Sequence, residues 1–384
     1  MDSYDKLNLL SQQMEVEIDS TDEVSCLSPI AEDRINISHA LMPNGKKLRL
    51  LKTLLSSACE NNCYYCAFRA GRDFHRITIK PEELAHTFLS LYNAGVVNGI
   101  FISSGIIKGG VFTQDHLIDV ADILRTKMNF RGYIHLKIMP GSEYDQVFRS
   151  MQLANRVSIN LEAPNNQRLA MIAPCKTNFE SLLLPIRWVD QIRQSQDPYQ
   201  GWNHCWPSSS TQFVVGAADE TDLELLSTTE FLYHQLHLKR SYFSKFKPIP
   251  DTPLSDKIGE SATRELRLYQ ASYLLRDYGF SLEDLPLDNN GNLPLQTDPK
   301  FSWAMYHLNT KPVEINQADI KELLQIPGIG PKTAQLIISK RRIHKFLDIE
   351  QLVGLGVNRQ KIAPFILING KKPPVQQSFT FFDS

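Results

Sequence analysis

Three cysteines stand within eight residues, in the run Cys59-Glu60-Asn61-Asn62-Cys63-Tyr64-Tyr65-Cys66. Thiols this close together ask for a metal, because thiolates bind soft metals well. A disulfide framework matches poorly. The chain has 384 residues and six cysteines, and its first ten residues, with Asp2 and Asp5, lack the apolar core of an export signal. Zinc asks for four ligands. No fourth cysteine lies nearby, and His75, nine residues beyond Cys66, is outside the usual finger spacing. Three thiolates suit a [4Fe–4S] cluster that leaves one iron open to an outside ligand. Cys26 lies in a polar N-terminal stretch and is expected to be neither a ligand nor a hydrogen donor.

A second constellation lies near the C-terminus, in Ile326-Pro327-Gly328-Ile329-Gly330-Pro331-Lys332-Thr333. Asn316 can cap a helix with Asp319 in its first turn, and Leu323, Leu324 and Ile326 supply its apolar side. Pro331 opens the next helix, expected over Lys332–Arg342. Helix, Gly-x-Gly turn and helix make a helix-hairpin-helix. The amides of Gly328, Ile329 and Gly330 would face outward at a helix N-terminus and form a phosphate site that a side chain would block. Lys332 adds a point charge and Thr333 a hydroxyl. A weaker copy follows, with Phe346–Leu352, the turn Gly354-Leu355-Gly356-Val357 and a helix over Asn358–Ile366. Such a pair reads backbone rather than sequence. The plainer alternative is a helical interaction domain that does not bind DNA.

The elements that must position the thiols can be read from alternating apolar runs and helical periods. Six strands are expected: Lys47–Ser57 running into Cys59, Gly99–Ser103, Tyr133–Met139, Arg156–Leu161, Thr211–Val215 and Ser241–Phe246. Helices are expected over Pro81–Ala94, with Leu84, Phe88 and Leu91 on one face, over Gln114–Lys127 and over Asp222–Leu236. Alternating strands and helices make a parallel sheet whose functional loops lie at its C-terminal edge. Lys137 and His135 alternate with apolar residues, so one face of their strand points polar groups either into a pocket or at the helix layer. A further helix is expected over Leu268–Tyr278, then a linker over Asn289–Pro299.

The CxxxCxxC spacing with Tyr65 before the last cysteine resembles the signature of the radical S-adenosylmethionine (SAM) superfamily. The resemblance implies an α/β fold, a partial (β/α)6 barrel, with the cluster loop after the first strand. It implies a [4Fe–4S] cluster on Cys59, Cys63 and Cys66 and SAM on the open iron, where one electron cleaves it to a 5′-deoxyadenosyl radical. It places Tyr65 near the adenine and Ser104 and Gly105 at the methionyl amino group, in place of the commoner Gly-Gly-Glu. Asn160 and Glu162 fall at the ribose or carboxylate, and Gly216 and Glu220 in the turn beside the adenine. Lys137 is a candidate for SAM or substrate. Cys175, Cys205 and Tyr242 are candidate hydrogen-atom donors, against the plain reading of a cysteine as a small core hydrophobe.

The segment Glu314–Phe365 resembles the tandem helix-hairpin-helix domains of DNA repair and DNA uptake proteins. Together with the barrel, and with Gly291–Leu295 and Asp298-Pro299-Lys300, it resembles a bacterial family of radical SAM proteins associated with DNA modification or repair. The implied function is a radical SAM enzyme acting on DNA through hydrogen abstraction from a flipped base or a sugar, served by a flavodoxin- or ferredoxin-like electron donor. The rivals are a radical SAM enzyme modifying RNA, such as a tRNA base, and a non-enzymatic Fe–S DNA-binding sensor.

Composition bounds these expectations. Apolar residues make up 42% and charged residues 22%, a globular balance. No stretch of 18 uncharged apolar residues suggests a membrane span, and a cytoplasmic location is expected. A net charge of −1 argues against a wholly basic polyanion binder. The charge is uneven, however: residues 311–384 carry 11 basic against 6 acidic side chains. The expected organisation is an N-terminal segment (1–42), a radical SAM barrel (43–255), a helical extension and linker (256–310), a small all-α tandem hairpin domain (311–370) and a mobile tail (371–384).

Overall fold

Parallel strands need a long crossover to return the chain to the same edge, and a helix supplies it. The computed structural model describes residues 1–14, 35, 37–41, 47–176 and 178–374. Strands β1 (Ile37–Leu41), β2 (Lys47–Leu54), β3 (Gly99–Ser103), β4 (Tyr133–Lys137), β5 (Arg156–Ser158), β6 (Ser208–Val215) and β7 (Arg240–Lys245) form one sheet in that order. From β2 to β7 every neighbouring pair is parallel. Strand β1 adds an antiparallel edge beside β2. The helices between strands are α2 (Pro81–Asn93), α3 (Gly109–Asp122), α4 (Tyr144–Leu153), α5 (Asn166–Ile172), α6 (Phe179–Ser195) and α7 (Asp222–Gln235), with α1 (Ser3–Gln13) preceding the sheet. This is an α/β fold, an open (β/α)6 arrangement, followed by a small helical region.

The expected strand Gly99–Ser103 matches β3 at both ends, the other five differ at one end or both, and β1, α1, α4, α5 and α6 were not anticipated. The expected strand Arg156–Leu161 is cut to half its length, with regular pairing stopping at Ser158. Beyond it the amides of Ile159 and Glu162 bond the carbonyls of Ser210 and Gln212. Three steps on this side therefore span two on β6, the mark of a bulge. Helix α2 follows the reading closely. Pro81 opens it, Glu82 and Glu83 lie in its first turn, and Leu84, Phe88 and Leu91 are buried.

Which face of the sheet meets the helices is settled by Ser209, whose hydroxyl accepts a bond from Arg193 of α6 (3.1 Å). Ser209 is in register with Val157, and Val157 with Leu136. That row is the helix side, and Ile134, Leu136 and Val157 are fully buried on it. His135 and Lys137 therefore point to the opposite face, which resolves the alternative left open by their alternation.

The N-terminal edge is tied by one side chain. Helix α3 runs into a π-helical turn, Ile123–Lys127, that carries Arg125. Its guanidinium donates to the carbonyls of Leu153 (3.0 Å), Phe130 (2.8 Å) and Gly132 (2.8 Å) and to Asn155 Oδ1 (2.9 Å). It also stacks on Trp202, 3.7 Å from the ring centre.

The chain divides into two compact units, Met1–Glu220 with Phe231–Ser261, and Thr221–Glu230 with Ala262–Ser384. The second holds α8 (Ala262–Asp277), α9 (Pro299–His307), α10 (Ile320–Gln325), α11 (Pro331–Arg341), α12 (Ile349–Val353), α13 (Arg359–Ile362) and a parallel strand pair, β8 (Val313–Glu314) with β9 (Ile366–Leu367). Three local readings change. Asp319, not Asn316, caps α10: its carboxylate accepts the Glu322 amide, and Glu322 accepts the Asp319 amide in return. Asn316 instead binds both backbone groups of Phe346, linking the two hairpins. The last helix ends at Ile362 rather than Ile366, because Pro364 tightens the chain into a 3₁₀ turn before β9. Cys26 and the tail from residue 375 lie outside the described residues.

Arg125→Met would take the guanidinium donor from the buried Leu153 and Phe130 carbonyls and remove its bonds to the part-buried Gly132 carbonyl and Asn155, and we expect a loss of about 3 kcal/mol or more. Urea unfolding of the variant against the wild-type chain measures it.

Candidate active site and nucleic-acid interface

The loop that carries the three thiols leaves β2 at the C-terminal edge of the sheet. Its ends are closed by pairing of Ser56, Ser57 and Leu55 with residues 77–79, where the Ser57 amide donates to Ile77 O and the Ile77 amide to the Ser57 hydroxyl (2.9 Å each). The guanidinium of Arg76 fills the loop from inside, donating to the carbonyls of Phe68, Arg69 and Arg72 at 3.0–3.2 Å and lying 4.4 Å from the Phe74 ring centre. Gly105 is required where the post-β3 turn crosses this loop. Its amide donates to Ser56 O (2.7 Å), and a Cβ there would collide with the Ala58 carbonyl. Beside it the Ser104 hydroxyl bonds Gly105 O.

The three thiols hang from this frame. Cys59 Sγ accepts the Ile106 amide and Cys66 Sγ accepts the Phe68 amide, both at 3.4 Å. Cys63 is buried, with Sγ 3.6 Å from Cys175 Sγ. Their shared hydrogen bond draws the Cys175 thiol down to about 6 and, with burial, pushes Cys63 up. Among the described residues no three His, Cys, Asp or Glu side chains are grouped closely enough to hold a single metal ion. A four-iron cluster does not require that. Each thiolate takes a different iron, and amide-to-sulfur bonds of this kind tune such clusters. The donor set, three thiols on one closed loop, therefore fits a cluster better than a mononuclear site.

The bulge after β5 delivers Glu162 to the same edge. Its backbone is left-handed (φ 67°), a conformation a non-glycine residue holds only when its surroundings enforce it. The buried carboxylate accepts Lys176 Nζ at 2.7 Å and the Tyr65 hydroxyl. Burial alone would raise the Glu162 carboxyl. The Lys176 and Lys137 charges, with the bonds from Lys176 and Tyr65, outweigh it and hold the group below the usual carboxylate range. Burial would likewise lower Lys176, but the charges of Glu162 and Cys63 raise it above the ordinary ammonium value. Tyr65 is pushed up by burial and then by the Glu162 charge. A cavity of about 310 Å3 adjoins, lined among others by Glu60, Ile106, Gly110, Pro140, Cys175 and Lys176.

The structure thus brings Cys59, Cys63, Cys66, Tyr65, Ser104, Gly105, Glu162 and Cys175 to one edge. Lys137 ends β4 there and acts on Glu162 through its charge. Asn160 is half-buried within the bulge. The Gly216 turn (φ 85°) is closed from within, since Glu220 accepts the amides of Gly216 (2.5 Å) and Ala218 (3.1 Å). Cys205 is exposed and precedes β6, at the opposite edge from the thiols. Tyr242 lies within β7 and accepts a bond from Arg156 (3.1 Å). Lys176 and Arg76 were not anticipated.

In the second unit, the first hairpin turn keeps exposed Gly328 at φ 82°. Ile329 is turned inward: its side chain is buried and its amide bonds Ile326 O (3.1 Å). Its carbonyl takes the ammonium of Lys300 at 2.7 Å, and that ammonium lies 4.5 Å from the Tyr278 ring centre. Burial pushes Lys300 down to about 7, against the Asp298 charge. Gly330, Lys332 and Thr333 remain at the start of α11, where first-turn amides have no intrahelical acceptor. In the second turn the Gly354 and Gly356 amides bond Glu350 O and Val353 O. Of the two glycine turns, the first is therefore the one followed by open first-turn amides.

The fold and site define an open (β/α)6 α/β domain with a thiol-bearing edge, joined to a helix-hairpin-helix region. Residues 308–357 match the family described as helix-hairpin-helix motif. No curated protein matches the sequence. Among solved structures the chain is similar to the [FeFe]-hydrogenase maturase HydG from Carboxydothermus hydrogenoformans (17% identity, TM-score 0.47, 59% of this chain and 51% of that one). It is also similar to methylornithine synthase PylB (16%, 0.46, 60% and 62%). A radical SAM methyltransferase from Sphaerobacter thermophilus aligns as well (14%, 0.45, 64% and 68%). The chain thus spans about half the length of HydG. Among the described residues no helix is long and apolar enough to cross a membrane.

Lys176→Met should destabilise the chain by about 3 kcal/mol at neutral pH, because it strands a buried carboxylate. Stability from the depressed Glu162 is present above the ordinary carboxylate range and is lost as pH falls through its held-down value. The gap between wild type and variant should therefore narrow in acid, as read by unfolding at a series of pH values.

Proposed function

We propose that the chain is a radical SAM enzyme whose substrate is nucleic acid, most specifically DNA. The observation that carries this reading is the thiol loop on the C-terminal edge of a six-strand parallel sheet, in one chain with a helix-hairpin-helix. Cys59, Cys63 and Cys66 would hold a [4Fe–4S] cluster. Bound there with SAM, the cluster would supply a 5′-deoxyadenosyl radical for hydrogen abstraction. The rest is the protein's work. Arg76 and Gly105 fix the loop, the Tyr65–Glu162–Lys176 network presents fixed charge at its flank, and the adjoining cavity offers room beside them. The hairpin at Gly328–Lys332 would hold a duplex by its phosphates, leaving a target nucleotide to reach the edge by flipping. The electron would come from a small donor of flavodoxin or ferredoxin type.

Two measurements test this. Anaerobically reconstituted, reduced protein should release 5′-deoxyadenosine from SAM, more with duplex DNA than with folded RNA, and not at all when Cys59, Cys63 or Cys66 is Ala. Stimulation by RNA alone would move the substrate to RNA; binding of DNA without any SAM cleavage would make the chain a sensor. Separately, Lys332→Ala should weaken duplex binding evenly across sequences and reduce the slope of log affinity against log salt by about 1.

A further inference from the structure

Residues in register on neighbouring strands share a face of the sheet. His135 is in register with Arg156, and Arg156 with Ser208. Two residues further on, Lys137 is in register with Ser158, and Ser158 with Ser210. Two rows of three polar residues thus cross β4, β5 and β6 on the face turned away from the helices. Buried sheet faces are normally apolar, and on the helix side β4 and β5 present Ile134, Leu136 and Val157. Here Lys137, Ser158 and Ser210 are only 7%, 6% and 1% exposed.

The rows consist of donors. Arg156 gives Nε to the Ser208 hydroxyl and Nη1 to the Tyr242 hydroxyl, both at 3.1 Å. His135 stacks on Phe101 at 4.4 Å between ring centres. Burial, then the charges of Arg156, Lys137 and Lys52, hold its imidazole well below the usual value, so it is neutral and keeps one N–H to offer. His135 Nε2, Ser158 Oγ and Ser210 Oγ are buried without a hydrogen-bond partner. Three such atoms on adjacent strands are costly to bury unless something answers them.

We infer that this face binds an oxyanion, and that the anion is a phosphate group of a nucleotide substrate. The naming of a nucleotide rests on the proposed function; the anion site does not. The group that satisfies this set must be rich in acceptors and negative. A carboxylate offers two oxygens in one plane. The donors here stand in two rows on three strands, spaced by about 4.8 Å between strands and about 6.6 Å between rows. A phosphate presents oxygens in tetrahedral directions and suits the guanidinium fork. The site lies deeper in the sheet than Glu162, so a nucleotide anchored here by its phosphate would place its base or sugar toward the thiol-bearing edge.

Calorimetric titration of the full chain with a nucleoside 5′-monophosphate and with the parent nucleoside tests this. The monophosphate should bind about 10-fold or more tighter. Arg156→Met should abolish that preference. So should the pair Ser158→Ala/Ser210→Ala, while leaving thermal stability unchanged or raised, because it removes unanswered hydroxyls. A purely structural role for the serines predicts the reverse, lost stability with the preference intact. Lys332→Ala should change duplex binding only, which separates failure of the hairpin reading from failure of this one. A wild-type chain that binds nucleoside and monophosphate equally, or a serine pair variant that keeps the full preference, overturns the inference.

Discussion

A carboxylate withdrawn from water must be matched by charge and hydrogen bonds, and the matching of Glu162 joins the parts of the first unit that carry chemistry. The bulge after β5 supplies the carboxylate. The thiol loop supplies Tyr65, the connector between α5 and α6 supplies Lys176, and the end of β4 supplies Lys137. Three of these segments lie outside the named strands, and the fourth, β4, ends there with Lys137 in register with Ser158. Removing one partner would leave a buried charge uncompensated, which costs more than the pair contributes when intact. The strain of the left-handed Glu162 is held by the same contacts, so the geometry of the thiol-bearing edge depends on them.

The two edges of the sheet divide the work. At the N-terminal edge Arg125 donates to carbonyls, a stabilising arrangement. At the C-terminal edge the loops after β2, β3, β4 and β5 converge, and there lie thiols, a strained residue, a buried ion pair and a cavity. Parallel α/β sheets place their chemistry at this edge because strand C-termini and helix N-termini meet there. The polar inward rows on β4 to β6 extend that chemistry into the sheet.

What was legible in the sequence follows from how local each signal is. The thiol triplet and the turn Gly328–Lys332 are set by spacing within eight residues, and strand Gly99–Ser103 by a bounded apolar run; these stand where they were read. Glu162 was legible as an acidic residue at a strand end, but the bulge that aims it was not, since a bulge depends on which residues of β6 it faces. Lys176 and Arg76 gave no signal. A single cation has no period, and each finds its function only when distant backbone or a distant carboxylate arrives. Lys300 was visible only within Asp298-Pro299-Lys300, and nothing in that run reveals that its ammonium would brace the Ile329 carbonyl. Gly354 and Gly356 matched the spacing of a second phosphate turn, yet their amides are already bonded, which spacing cannot show.

The central claim is that Cys59, Cys63 and Cys66 hold a four-iron cluster with one iron left open. Iron-57 Mössbauer spectroscopy of the anaerobically reconstituted chain, recorded before and after addition of SAM, tests it most directly. The account predicts a four-iron cluster in which about one quarter of the iron changes its signal when SAM binds. A cluster whose four irons are all indifferent to SAM, or a chain that takes up zinc and no four-iron cluster, would contradict it.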